Sequence, residues 1–191
     1  MRWILPGTVL QIGPAETDRL EEVFSSMFLA GGMVLSQVTS LTGLEPHTVQ
    51  NWVKRGYLKA PQKKRYTQRQ LSRILIINML RAALPLEQIC GLLQYVNGHL
   101  DDESDDLIDD TQLYFLFVRL AAYHRQMKNS QTRDSYLDKV MEHYQEPVPG
   151  AKERVETVLR IMLTAWAASQ LRLQTEAMVK ALDNPQEVNL T

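Results

Sequence analysis

Hydrophobic positions along this chain recur at intervals of three and four, the period of an amphipathic helix, and they divide it into a series of short helices. Val38 and Leu41 close one run, and Gly43 follows where a left-handed residue is needed to end a helix, so that helix stops near Thr42. Pro46 suits the first turn of a new helix, and Val49, Trp52 and Val53 recur behind it; the spacing predicts a helix over 46–55, closed by Gly56. Thr67 and Gln70 have the spacing of a capping box, which opens a helix carrying Leu71, Ile74, Leu75, Asn78 and Met79 to about residue 83. Leu84-Pro85 breaks that run, and Pro85 starts the next, with Leu86, Ile89, Cys90, Leu93 and Val96 on its apolar side.

On either side the pattern is less regular. Residues 1–13 show no clear period, whereas 16–30 carries Leu20, Val23, Phe24, Met27 and Phe28 at helical spacing before Gly31-Gly32. This accessory helix packs either on the segment that follows it or on the C-terminal half. Residues 113–122 are apolar almost all round, as expected of a helix central to a bundle. A further helix over 135–145 carries Tyr136, Leu137, Val140, Met141 and Tyr144, and Pro147-Val148-Pro149-Gly150 ends it. The last run, 151–183, has a stripe of Val155, Val158, Leu159, Met162, Trp166 and Leu173. The stripe is regular in its first half and interrupted by Gln170, Arg172 and Gln174 in its second, too irregular for a sustained coiled coil. Residues 184–191 read as a frayed tail.

Composition changes this picture little; the distribution of charge changes it more. A chain of 191 residues, 45% hydrophobic and 23% charged, is that of a soluble globular protein, but its net charge of −1 conceals two opposed fields. Residues 46–86 contain no acid and nine cations: Lys54, Arg55, Lys59, Lys63, Lys64, Arg65, Arg69, Arg73 and Arg81. Residues 87–110 contain eight acids and no Lys or Arg. Within the basic stretch the outward positions of the 46–55 helix are His47, Gln50, Asn51, Lys54 and Arg55, side chains able to reach phosphates or base edges. Trp52 shares a face with Val49 and is assigned to the core. Residues 59–66 are too short and too basic for a core element and predict an exposed hairpin.

In order and spacing these signals resemble the MerR-type winged helix-turn-helix. Thr42-Gly43, Thr48-Val49, Gly56-Tyr57-Leu58, Pro61, Arg65-Tyr66-Thr67 and Ala83-Leu84-Pro85-Leu86-Glu87-Gln88-Ile89 stand where that family's pattern has a T-G turn, T-L, G-L, a proline, R-Y and an L-G-F-S-L-E-E-I-like segment. The chain is most similar to a bacterial domain-of-unknown-function group with a MerR-like DNA-binding domain. Gln50, Asn51 and Trp52 replace the family's arginine and aromatic pair, and the wing lacks the glycine that usually precedes its R-Y. The resemblance covers about residues 33–96. Together with the flanking helices read from periodicity, it gives an expected all-α fold in three stretches: an N-terminal accessory helix (1–32), a winged helix-turn-helix (33–98) and a C-terminal helical bundle (99–191) serving dimerisation or an effector. It also implies double-stranded DNA as partner and a homodimer on a pseudo-palindromic operator. His47, Thr48, Gln50, Asn51, Lys54 and Arg55 would then lie on the reading helix, with Lys63, Lys64, Arg65 and Tyr66 on the wing.

Other chemistry finds less footing. The acidic run 101–110 does not fit a calcium loop, since position 106 is Asp where glycine is required and position 112 is Gln where glutamate is required. It reads as a solvated linker and helix N-terminus, or as a segment that contacts the basic patch of its own or a neighbouring subunit. One cysteine, Cys90, excludes an intramolecular disulfide. There is no phosphate loop, metal-ligand spacing or nucleophile elbow, and His47, His99, His124 and His143 lie far apart, so no catalytic residue, cofactor or metal is expected. The aromatic residues Tyr114, Phe115, Phe117, Tyr123 and Trp166 are read as core in preference to an effector pocket. No signal peptide or membrane span is visible, which places the protein in the cytoplasm. Beside the DNA-binding regulator stands one reading of another class, a protein-interaction module that keeps the helix-turn-helix scaffold and docks on an acidic partner.

Overall fold

The structure, a computed structural model, describes residues 2–126 and 133–183. It is mostly helical, with two very small antiparallel sheets. A hairpin of β1 (Trp3–Ile4) and β2 (Gln11–Ile12) leads into α1 (Pro14–Asp18) and α2 (Leu20–Met27), then β3 (Met33–Val34), α3 (Leu35–Thr42) and α4 (Pro46–Lys54). After β4 (Arg65–Tyr66), the remainder is α5 (Gln68–Leu80), α6 (Leu86–Asn97), α7 (Asp110–Gln126), α8 (Arg133–Val140) and α9 (Ala151–Asp183).

Local chemistry explains where these helices begin and end. Gly43 takes a φ of 69° and its N–H donates to the Thr39 carbonyl, closing α3. Thr67 accepts a hydrogen bond from the Gln70 N–H at 3.2 Å while the Gln70 amide oxygen accepts from the Thr67 N–H at 2.8 Å, the reciprocal capping box that the spacing predicts. Asp109 Oδ1 accepts from the N–H groups of Thr111 and Gln112 and so caps α7.

α5 is the centre of the molecule. Leu71, Ile74, Leu75, Ile76, Ile77 and Leu80 are fully buried, and α5 packs most extensively on α7 and also on α3, α6 and α9. The N-terminal hairpin closes over it: a Cβ on Gly7 would run into the Leu75 carbonyl, and the Asn78 amide donates to the Gly7 and Thr42 carbonyls at 2.9 and 3.0 Å. Phe24 of α2 meets Tyr114 and Phe115 of α7, Trp3 meets Trp166, and Phe117 meets Trp166, all within 6.4 Å between ring centres. The buried side chains thus form one cluster from Trp3 to Trp166.

Several boundaries differ from those the periodicity predicts. The expectation of an all-α chain misses both sheets, because paired strands of two residues are too short to display alternation. The 16–30 helix is two helices that break at Arg19, and α2 ends at Met27, where the Ser26 hydroxyl donates to the Val23 carbonyl and the chain tightens into turns. The accessory helix packs on the C-terminal half, with Phe24 of α2 on α7, while the hairpin ahead of it lies on α5. α8 stops at Val140, short of residue 145. Beyond it the bonds become i to i−3, and the Tyr144 hydroxyl donates to the Leu107 carbonyl at 2.7 Å, which holds the ring against the segment before α7. The predicted tail at 184–191 lies outside the described residues.

Candidate nucleic-acid interface

The candidate site is assembled from α3, α4, the hairpin at 62–65 and the start of α5. α3 and α4 are joined by only Gly43, Leu44 and Glu45, with Leu44 buried and Pro46 at the first helical position. α4 turns Val49 and Trp52 inward, at 0% and 5% exposure, and this fixes its outer row. His47, Gln50, Asn51 and Lys54, which recur at i, i+3, i+4 and i+7, are exposed, and Thr48 is half-buried beside them.

The hairpin is tied to this unit at three places. Met33 pairs with Tyr66 and Val34 with Arg65, so β4 returns to the strand that precedes α3. The Arg65 guanidinium donates to the Gly32 carbonyl at 2.8 Å. The Gln70 amide nitrogen donates to the Lys59 and Ala60 carbonyls at 2.9 and 3.0 Å, pinning the stem to the first turn of α5. At the tip, Gln62 bridges Arg65, and Lys63 and Lys64 both adopt positive φ, 47° and 63°. That is the two-residue turn that Asn-Gly normally occupies, here formed by two exposed lysines.

The remaining basic residues divide into those that are engaged and those that are not covered. Arg55 donates to Glu87 Oε1 at 2.6 Å and to the Tyr57 hydroxyl at 2.8 Å, and Tyr57 in turn donates to Glu87 at 3.0 Å. This exposed trio clasps the end of α4 to the start of α6. Arg69 pairs with Asp106 at 2.5 Å, Glu103 at 3.4 Å and Asp110 at 3.6 Å, and Arg73 pairs with Asp110 at 3.2 Å. The acidic run therefore contacts the chain's own basic stretch, on α5. Burial pushes the Asp110 carboxyl above the usual carboxylate range against the pull of Arg73 and Arg69, and it raises Asp106 likewise. Lys54, Lys63 and Lys64 remain exposed.

Of the residues singled out from sequence, Gln50 and Lys64 border one cleft with Leu35, Val53, Pro61 and Tyr66. Tyr66, 3% exposed, belongs to the cleft's inner surface, unlike the exposed Lys63, Lys64 and Arg65 of the hairpin. Sequence reasoning does not identify Leu35, Val53 and Pro61 as site residues, nor the second use of Gln70 as a brace; neither carries a local signal, because each depends on the hairpin folding back on α4. Among the described residues no group of three or more His, Cys, Asp or Glu is placed to hold a metal, and no helix is long and apolar enough to cross a membrane.

Residues 23–117 match the model of a family described as a domain of unknown function (DUF1836), a span from α2 to the middle of α7 that contains the whole candidate site. No curated protein and no solved structure matches the chain.

Proposed function

We propose that the chain is a DNA-binding transcriptional regulator whose α3, α4 and lysine-tipped hairpin act as a MerR-like winged helix-turn-helix. The observation that carries this reading is that the exposed row of α4 and the hairpin border the same cleft, with Gln50 on one side and Lys64 on the other. A helix with an exposed polar row fits the major groove, and a cationic hairpin beside it fits the adjacent backbone. Gln50 and Asn51 hydrogen-bond base edges, adenine being the base whose edge an amide matches, with His47 and Thr48 at the same end of α4. Lys54, Lys63 and Lys64 hold phosphates; Arg65 and Arg55 contribute charge from their clasped positions. The partner is a pseudo-palindromic duplex and the active species a homodimer, for which the exposed second half of α9 supplies an apolar surface: Leu171, Met178, Val179 and Leu182 all lie in solvent.

Substitution separates the two kinds of contact. Lys64→Ala weakens binding to every sequence and lowers the slope of log affinity against log salt by about 1. Asn51→Ala leaves the slope in place and relaxes preference at one base position, at a cost of roughly 1–3 kcal/mol there. Fluorescence anisotropy over a salt series checks both, and equal losses from the two variants on all sequences would contradict direct readout by α4.

A further inference from the structure

We infer that the cleft between α4 and the hairpin is also a docking site for an acidic protein segment that inserts one large apolar side chain, and that such a segment excludes DNA from this face. The cleft has a volume of about 380 Å³ and is lined by Leu35, Val53, Pro61 and Tyr66, with Gln50 and Lys64 at its edge. Such a lining is an unusual centre for a DNA-binding face. A duplex presents phosphates, sugars and base edges, and its largest apolar group in the major groove is the thymine methyl, so an apolar hollow of this size stays unfilled against DNA. An apolar centre inside a polar, charged rim is instead the layout of a protein interface built around one buried anchor.

The cleft is also formed in advance. Tyr66 is held by its pairing with Met33, and the hairpin stem is fixed by the two hydrogen bonds from Gln70, so little ordering is needed on binding. The sign of the partner follows from what surrounds the cleft. Residues 46–86 contain no acid, and Lys54, Lys63 and Lys64 are exposed. Glu87 is engaged by Arg55, and Glu103, Asp106 and Asp110 by Arg69 and Arg73. Among the described residues no acid lines the cleft, so the carboxylates that match the rim come with the partner. Gln50 and Lys64 serve both ligands, which makes the two modes mutually exclusive. That competition rests on the DNA-binding reading; the docking itself does not.

The test uses the full chain and three fluorescein-labelled twelve-residue peptides. One is composed of Glu, Asp and Ser around a central Phe, one has Ser in place of that Phe, and one keeps the Phe but replaces the acids by Lys. By anisotropy the acidic Phe peptide binds about tenfold more tightly than its Ser counterpart, and the basic peptide does not bind. Val53→Gln removes the tenfold advantage while binding of the acidic Ser peptide persists; Pro61→Gln, in the hairpin, does the same and serves if Val53→Gln does not fold. Equal binding of the Phe and Ser peptides, or binding of neither, overturns the inference. A random-sequence duplex as a second probe separates the two readings. Peptide binding without DNA binding overturns the regulator and leaves the docking site, whereas DNA binding undisturbed by a bound peptide overturns the exclusion.

Discussion

Lys63 and Lys64 combine an unfavourable backbone with an exposed position, and nothing in the packing requires either side chain. A non-glycine residue in the left-handed region costs roughly 1 kcal/mol, and strain of that kind is retained where the side chain has a task. Replacing the pair by Asn-Gly therefore raises stability by about 1 kcal/mol in urea unfolding while lowering the salt slope of DNA binding by roughly 2, one phosphate per lysine. A variant more stable and equally avid for DNA would remove the wing from the interface. At this scale the sequence is informative wherever one residue decides its own conformation: Gly43, Pro46, Thr67 with Gln70, and the inward Trp52 all occupy the positions that their chemistry predicts. It is silent where a residue works through a distant partner. Gln70 is legible as a cap but not as the brace of the hairpin, and Arg55 is legible as a cation but not as one clasped to Glu87, 32 residues away.

Among the elements, α5 carries the most consequence, since its buried face holds the core and its first turns hold the acidic segment. Arg73 and Asp110 are both nearly inaccessible, with side-chain exposures of 7% and 2%. Taking one partner away from such a pair strands a buried charge, so Asp110→Asn alone lowers stability by about 3–5 kcal/mol; replacing both by apolar residues, Arg73→Met with Asp110→Leu, restores most of it. A double-mutant cycle in urea measures this, and additive losses would show that the pair is not coupled. α9 divides into two halves that obey different constraints. Val155, Val158, Leu159, Met162 and Trp166 are buried, whereas Leu171, Leu173, Met178, Val179 and Leu182 are more than half exposed. The weakening of the stripe from Gln170 on, visible in the sequence, marks the point where α9 leaves the bundle, Ser169 being its last buried residue among those described. Leu171→Gln with Met178→Gln and Leu182→Gln should turn a dimer into a monomer in sedimentation equilibrium without loss of helical circular dichroism. A dimer that survives these substitutions would place the contact elsewhere.

Across the whole molecule, the two opposed fields of the sequence meet at α5, where Arg69 and Arg73 hold Glu103, Asp106 and Asp110. Those acids are engaged there, while His47, Gln50, Asn51, Lys54, Lys63 and Lys64 are exposed. The order of helices and most of their starts are legible from periodicity and caps. The N-terminal hairpin and the β3–β4 pairing are not, because each consists of two-residue strands that exist only through contacts made with the assembled core. The same holds for the cleft, whose walls come from residues 35, 50, 53, 61, 64 and 66 and meet only after the hairpin has closed. The measurement that bears most directly on the DNA-binding account is selection of the full chain against a pool of random duplexes at two salt concentrations. The account predicts enrichment of a motif with two half-sites, with affinity falling steeply as salt rises because phosphate contacts release counterions. Folded protein that retains no duplex at low salt would contradict it.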